Sequence, residues 1–133
     1  MTTTETSTSV ADETVAVVDA YLAAWNETDP ARRAQRLAEA WTPEGHYRDP
    51  LLEAQGHDAI GAMAEQVHQQ YPGTTFRRTT PVDAHHDVAR FGWELAGPDA
   101  GVVVAGIDVA SFGPVGRLGH VVGFFGDLAP ADG

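Results

Sequence analysis

Apolar positions recur at helical spacing through the first half of the chain and in alternation through the second. Val15, Val18, Leu22 and Trp25 fall three and four apart, which predicts an amphipathic helix over about residues 13–27. Val17 and Tyr21 lie on the flank of that stripe, so Tyr21 can face the interior while its hydroxyl seeks a partner. The run Asn26-Glu27-Thr28-Asp29-Pro30 breaks the pattern, with Asp29 suited to cap a second helix and Pro30 to its first position. That helix is expected to turn Ala34, Leu37, Ala38 and Trp41 inward and Arg32, Arg33, Arg36 and Glu39 outward, stopping before Pro43. After Gly45 a short alternating run places Tyr47 and Asp49 on one face and His46 and Arg48 on the other. Gly56 and Asp58 open a third helix with the stripe Ile60, Met63, Val67 and Tyr71, ended by Tyr71-Pro72-Gly73.

The period then changes. Residues 74–80 are rich in β-branched side chains, and residues 88–95 set Phe91, Trp93 and Leu95 against Arg90 and Glu94. Turns at 97–101 and 113–116 separate two further strands, Val102–Phe112 and Leu118–Phe125. Helices followed by an antiparallel meander predict an α+β fold, three N-terminal helices packed in a curved, mostly antiparallel sheet. A sheet that cups helices leaves a cavity at one end, closed here by the first helix and the Asp49 segment. The expected organisation is a disordered tail over 1–11, one domain over 12–127 and a flexible tail over 128–133.

Composition narrows the chemistry. A chain of 133 residues supports one hydrophobic core. Its net charge of -11, from 19 Asp+Glu against 8 Lys+Arg, argues against nucleic acid and anionic membrane surfaces as partners. All the basic side chains are arginine, which excludes Schiff-base chemistry. A cysteine count of 0 excludes thiol catalysis, thiolate metal sites and disulfides and fits a cytoplasmic location. The first residues lack the basic start and apolar run of a secretory signal, and no apolar stretch reaches membrane-spanning length. His85 and His86 are adjacent, and His46, His57, His68 and His120 show no ligand spacing, so no metal is expected. His46 and His120 are candidates for auxiliary acid–base roles.

Three polar residues stand out. Asp108 is set among Val102, Val103, Val104, Ala105, Gly106, Ile107 and Val109, in a strand that looks buried on both faces. Burial disfavours its ionised form, so it is expected to be neutral and able to donate a hydrogen bond, unless it pairs with an arginine or meets solvent. Asp49 precedes a proline, which holds it in extended or turn geometry. Taken singly, Asp49 reads as a turn carboxylate and Tyr21 as a core aromatic.

Together these segments resemble the bacterial ketosteroid isomerases, and more broadly the nuclear-transport-factor-2-like superfamily with its SnoaL-like polyketide cyclases. The resemblance extends over roughly residues 15–127. Asp19-Ala20-Tyr21-Leu22-Ala23-Ala24-Trp25-Asn26 is similar to the isomerase segment that holds the oxyanion tyrosine, at Tyr21. Tyr47-Arg48-Asp49-Pro50 is similar to the general-base segment, with Asp49 as base. Val103-Val104-Ala105-Gly106-Ile107-Asp108 is similar to the strand holding a second, protonated oxyanion donor, at Asp108.

This resemblance implies a cone-shaped α+β barrel and a cofactor-independent isomerase that moves a proton α to a carbonyl. The substrate would be a small hydrophobic carbonyl compound of steroid or polyketide type, and the protein a homodimer through its sheet. Trp41, Met63, Phe91, Trp93 and Phe125 would wall the substrate pocket. The alternatives are an intramolecular aldol cyclase using the same base, or a module that only binds a small molecule. Two departures are visible: an aromatic partner for the tyrosine falls on Ala64, and the aspartate of related epoxide hydrolases falls on Gly123.

Overall fold

The first helix, α1 (Thr2–Asn26), is fixed at its far end by one side chain that behaves like a strand. The Asn26 amide donates to the Phe76 carbonyl at 2.8 Å and its side-chain oxygen accepts the Phe76 N–H at 2.7 Å. Val18, Tyr21, Leu22 and Trp25 enter the core from this helix. This computed structural model describes the backbone of residues 2–99 and 101–132, and side chains from Asp12 onward. The helical backbone of α1 includes residues 2–11. Met1, Ala100 and Gly133 lie outside the described residues, and with them the outermost parts of both expected tails and part of the 97–101 turn.

Helix α2 (Pro30–Ala40) starts as its sequence predicts, with the Asp29 carboxylate accepting the Arg32 N–H at 2.9 Å. It ends one residue before Trp41, which is extended (φ -116, ψ 147) and opens β1 (Trp41–Arg48). The expected helical Trp41 is therefore a strand residue, because Pro43 already disfavours helix at Thr42 and the segment pairs with the last strand. Arg33 is a second correction. Expected to face outward, it is 5 % exposed, donating to the Glu27 carbonyl at 2.9 Å and pairing with Glu65 at 2.9 Å. Its length lets the guanidinium cross between α2 and α3 while the stem packs. Helix α3 (His57–Gln70) begins at Gly56, whose φ of 88 favours glycine, and buries Ile60, Met63, Ala64 and Val67.

The remaining strands are β2 (Glu53–Gln55), β3 (Thr75–Arg78), β4 (Asp83–His85), β5 (Val88–Ala96), β6 (Val102–Phe112) and β7 (Leu118–Phe125). They form one seven-stranded sheet in the order β2-β1-β7-β6-β5-β3, with β4 also on β5. All pairings are antiparallel except β1 with β7, so the expected meander is completed by a parallel strand drawn from the first half of the chain. Three helices packed on a curved, unclosed mixed sheet make this an α+β fold. No helix among the described residues is long and apolar enough to cross a membrane.

The helices cover one face of the sheet, which corrects the expectation that β6 is buried on both sides. Asp108 and Ala110 are buried, whereas Val103 is 46 % and Val109 40 % exposed. The strand alternates, and its apolar outer face only looks like core in the sequence. Asp108 points inward, toward the helices.

Candidate active site

Asp49 lies just beyond the end of β1, where Pro50 stops the strand and the chain turns back to β2. Its Oδ1 accepts the N–H groups of Leu51 and Leu52, both at 2.8 Å, and its own N–H donates to the Leu52 carbonyl at 2.8 Å. This is the turn that an Asp-Pro pair forms. The same carboxylate also serves a cavity, because Oδ2 accepts the Tyr47 hydroxyl at 2.6 Å. A carboxylate oxygen offers about two acceptor positions, so Oδ2 retains one. Tyr47 and Asp49 share a face by strand alternation; the sequence places them together but does not indicate the hydrogen bond between them.

Asp108 projects from the middle of β6 and is 3 % exposed. Its Oδ2 accepts the Tyr21 hydroxyl at 2.7 Å, and its Oδ1 accepts the Trp93 indole N–H at 3.0 Å. Burial pushes the Asp108 carboxyl up to about 7; the bonds from Tyr21 and Trp93 oppose that rise, and the Asp49 charge adds to it. Burial, followed by the Asp108 charge, raises the Tyr21 hydroxyl well above its ordinary value. Tyr47 is raised by burial first, then by Asp108 and Asp49. Both tyrosines therefore remain protonated donors at neutral pH.

Gly123 on β7 is the point where the two carboxylates converge. A Cβ there would sit 2.8 Å from Asp108 Oδ1, 3.3 Å from Asp49 Cβ and 3.4 Å from the Tyr47 hydroxyl. The glycine keeps that space open, and no aspartate side chain fits at this position without displacing Asp108. Gly123→Ala is expected to destabilise the fold by roughly 1–3 kcal/mol through overpacking, measured by urea unfolding.

Beside Asp49 and Tyr47 opens a cavity of about 490 Å³, walled by Trp25, Val67, Phe76, Trp93, Leu95 and Phe125, with Gln66, Gln70 and Tyr71 also lining it. That volume falls within the range of small-molecule sites. Tyr21 and Asp108 do not line it. They border a crevice of about 10 Å³ that shares Trp25, Tyr47, Phe76 and Trp93 with the cavity. The structure thus brings Tyr21, Asp108 and Asp49 into one cluster but sets the first two behind the aromatic floor.

Of the aromatic and Met residues expected to wall the pocket, Trp93 and Phe125 do so. Trp41, Met63 and Phe91 are core instead. Trp41 and Phe91 meet the Tyr21 ring edge-on at 5.8 and 6.1 Å, so they orient the tyrosine without reaching the cavity. These contacts and the bond to Asp108 hold Tyr21 in place although Ala64 offers it no hydrogen bond.

His46 and His120 lie on the opposite side of β1 and β7. Their rings stack at 5.0 Å, with His46 paired to Glu53 at 2.7 Å and His120 accepting from Arg48 at 3.2 Å. Burial, then Arg48 and His46, lowers the His120 pKa. Neither histidine reaches the cavity. His57 and His68 bind backbone carbonyls of Trp41, Thr42 and Trp25. Among the described residues no group of three or more His, Asp or Glu side chains is arranged to hold a metal ion.

Residues 18–118 match the SnoaL-like domain. The chain belongs to the SnoaL-like family. Over 87% of its length it is 38% identical to an Agrobacterium tumefaciens protein provisionally called an isomerase of the SnoaL-like family, covering 99% of that chain with a TM-score of 0.82. A provisional polyketide cyclase from Sinorhizobium meliloti superposes with a TM-score of 0.64 at 16% identity, over 80% of this chain and 92% of that one. A Methylobium petroleophilum protein of unknown function with a cystatin-like fold gives a TM-score of 0.70 at 16% identity, over 90% and 80%. The last two likenesses show the fold alone. No curated protein matches the sequence. The family is broad enough that the chemistry of this SnoaL-like domain must be argued from its own residues.

Proposed function

We propose that this SnoaL-like protein is a cofactor-independent enzyme of the ketosteroid-isomerase type, acting on a small apolar carbonyl compound through an enolate. The observation that carries this reading is the carboxylate of Asp49, held by Tyr47 and two amides with one acceptor position left, at the wall of an apolar 490 Å³ cavity. Asp49 Oδ2 removes a proton from the carbon α to the carbonyl. The C–H pair becomes a carbon–carbon double bond, and the carbonyl pair moves onto oxygen. Asp49 then returns the proton at another carbon, shifting the double bond.

The crevice beside Tyr21 and Asp108 supports the oxyanion part of the reading. Its volume of about 10 Å³ is close to the ~10–15 Å³ that a single water oxygen needs. A substrate oxygen inserted there, with the apolar body filling the cavity, would meet the protonated Asp108 and the Tyr21 hydroxyl, whose hydrogen turns from Asp108 to the substrate oxygen. Each such donor, preorganised in a water-poor site, contributes roughly 2.7–4 kcal/mol at the transition state. An intramolecular aldol closure of the cyclase type would use the same base and donors on a substrate with a second carbonyl.

A β,γ-unsaturated 3-ketosteroid tests the isomerase version. Its conversion to the conjugated enone is followed by absorbance, and enzyme-dependent growth of the enone band is expected. If neither this steroid nor smaller β,γ-enones are converted, double-bond isomerisation is not the reaction.

A further inference from the structure

Tyr47 is only 4 % exposed and so far has no role beyond holding Asp49. Its position is unusual, because Tyr47 lines both the cavity where the base works and the crevice where the oxygen would sit, and its hydroxyl lies beside Gly123, between Asp49 and Asp108. Asp49 Oδ1 is occupied by two backbone amides, so the Tyr47 bond is on the oxygen that must take the proton.

We propose that the Tyr47 hydroxyl is a catalytic donor that changes partner during the reaction, holding the Asp49 carboxylate before proton abstraction and the substrate oxygen after it. This rests on the enolate reading of the site. In the resting state the negative charge is on Asp49, and the hydroxyl donates to it at 2.6 Å. When Asp49 Oδ2 takes the substrate proton, the charge moves to the enolate oxygen and the protonated carboxyl becomes a poorer acceptor. Hydrogen bonds to charged oxygens are roughly twice as strong as neutral ones, so the hydroxyl follows the charge. Only its hydrogen moves, by rotation about the Cζ–O bond. The ring is held by the edge contact with Trp25 at 5.5 Å. When the proton leaves Asp49 for the product carbon, the hydroxyl turns back. No atom is gained or lost by Tyr47 in the cycle.

The charged and titratable groups coupled to this hydroxyl are Asp49 at the end of its own strand, Asp108 on β6 and Tyr21 on α1. Tyr21 already donates to Asp108, so before abstraction neither carboxylate lacks a phenolic donor. After it, Tyr47 is freed by the chemical step itself. This arrangement adds a donor in the transition state without offering it to the ground-state carbonyl, which raises kcat rather than tightening substrate binding.

The test uses 2-naphthol, a planar phenol whose anion imitates an enolate and whose absorbance distinguishes anion from neutral form. Asp49→Asn imitates the neutral carboxyl that follows abstraction. In that background, adding Tyr47→Phe is expected to weaken binding of the naphtholate about ten- to a hundredfold, the scale of one hydrogen bond to a charged oxygen. With the Asp49 carboxylate present, the same Tyr47→Phe change is expected to alter naphtholate affinity by less than about threefold. A purely structural role would weaken both backgrounds alike. Equal effects in the two backgrounds, or none in either, would overturn the proposal. Thermal melts confirm that each variant is folded, and Tyr47→Phe keeps the ring that packs on Trp25. The readout is independent of turnover: naphtholate coupling without ketone conversion removes the steroid reading, and conversion without coupling removes the switch.

Discussion

If the proposed isomerase reading holds, Asp49→Asn is expected to lower kcat by roughly 10²–10⁴-fold on an enone substrate, the contribution of one positioned general base. The substitution is suited to the site because asparagine retains the geometry. Its side-chain oxygen can accept the Leu51 and Leu52 N–H groups as Asp49 Oδ1 does, and its amide nitrogen can face the Tyr47 oxygen. Stability is therefore expected to change by less than about 1 kcal/mol, while the acceptor for the substrate proton is lost. The check is a pair of measurements, enone formation under saturating substrate and a thermal melt. A variant within tenfold of the parent rate would remove Asp49 from the role of base. A large loss of melting temperature would show that the turn, and not the proton transfer, had been broken.

The second large effect concerns stability. The Asp108 carboxyl is raised from 3.8 to about 7 by burial. A raised carboxyl binds its proton more tightly in the folded than in the unfolded chain. Its contribution to stability is complete below about pH 4 and is lost as pH rises to about 7. At 1.36 kcal/mol per unit the loss is on the order of 4 kcal/mol. Asp108→Asn removes the titration while keeping an oxygen for the Trp93 N–H. The stability difference between parent and variant, from urea unfolding at pH 4 to 8, should move by that amount in the variant's favour. Other carboxylates titrate in both proteins and cancel. A difference that stays flat across this range would show that Asp108 ionises as freely in the fold as outside it. The same titration bears on the chemistry, since only the protonated Asp108 can donate to a substrate oxygen.

The helices were legible in the sequence to the extent that their ends carry signals. Asp29-Pro30 and Tyr71-Pro72-Gly73 mark boundaries that the structure keeps within a residue or two. Trp41 continues the helical stripe of α2 in sequence although it opens β1, because no local break separates it from Ala40. The inward turn of Arg33 has no local signal either. Its partner Glu65 lies on another helix, and the pair exists only once α2 and α3 pack.

The strands β1, β2 and β4 illustrate a different limit. Each is polar on one side, β2 and β4 are short as well, and all three are defined by what they pair with. The parallel pairing of β1 with β7 joins His46 to His120 across the chain, a contact that no alternation pattern encodes. It is also what carries Asp49 to the cavity, since the end of β1 is placed against Val121 and Val122 of β7.

By itself the sequence determined the order of helices before strands, the inward stripes of α1 and α3 and the identity of the ionisable residues. These depend on local spacing and on burial energies that any fold of this class must satisfy. Tertiary structure alone decided which of those residues meet. The register of β7 puts Gly123 between Asp108 and Asp49, and the packing of Trp25, Phe76 and Trp93 separates crevice from cavity. Tyr47 gained its importance the same way, because a hydroxyl acquires a role from the distances to its neighbours, and those are set by strand pairing rather than by the residues beside it.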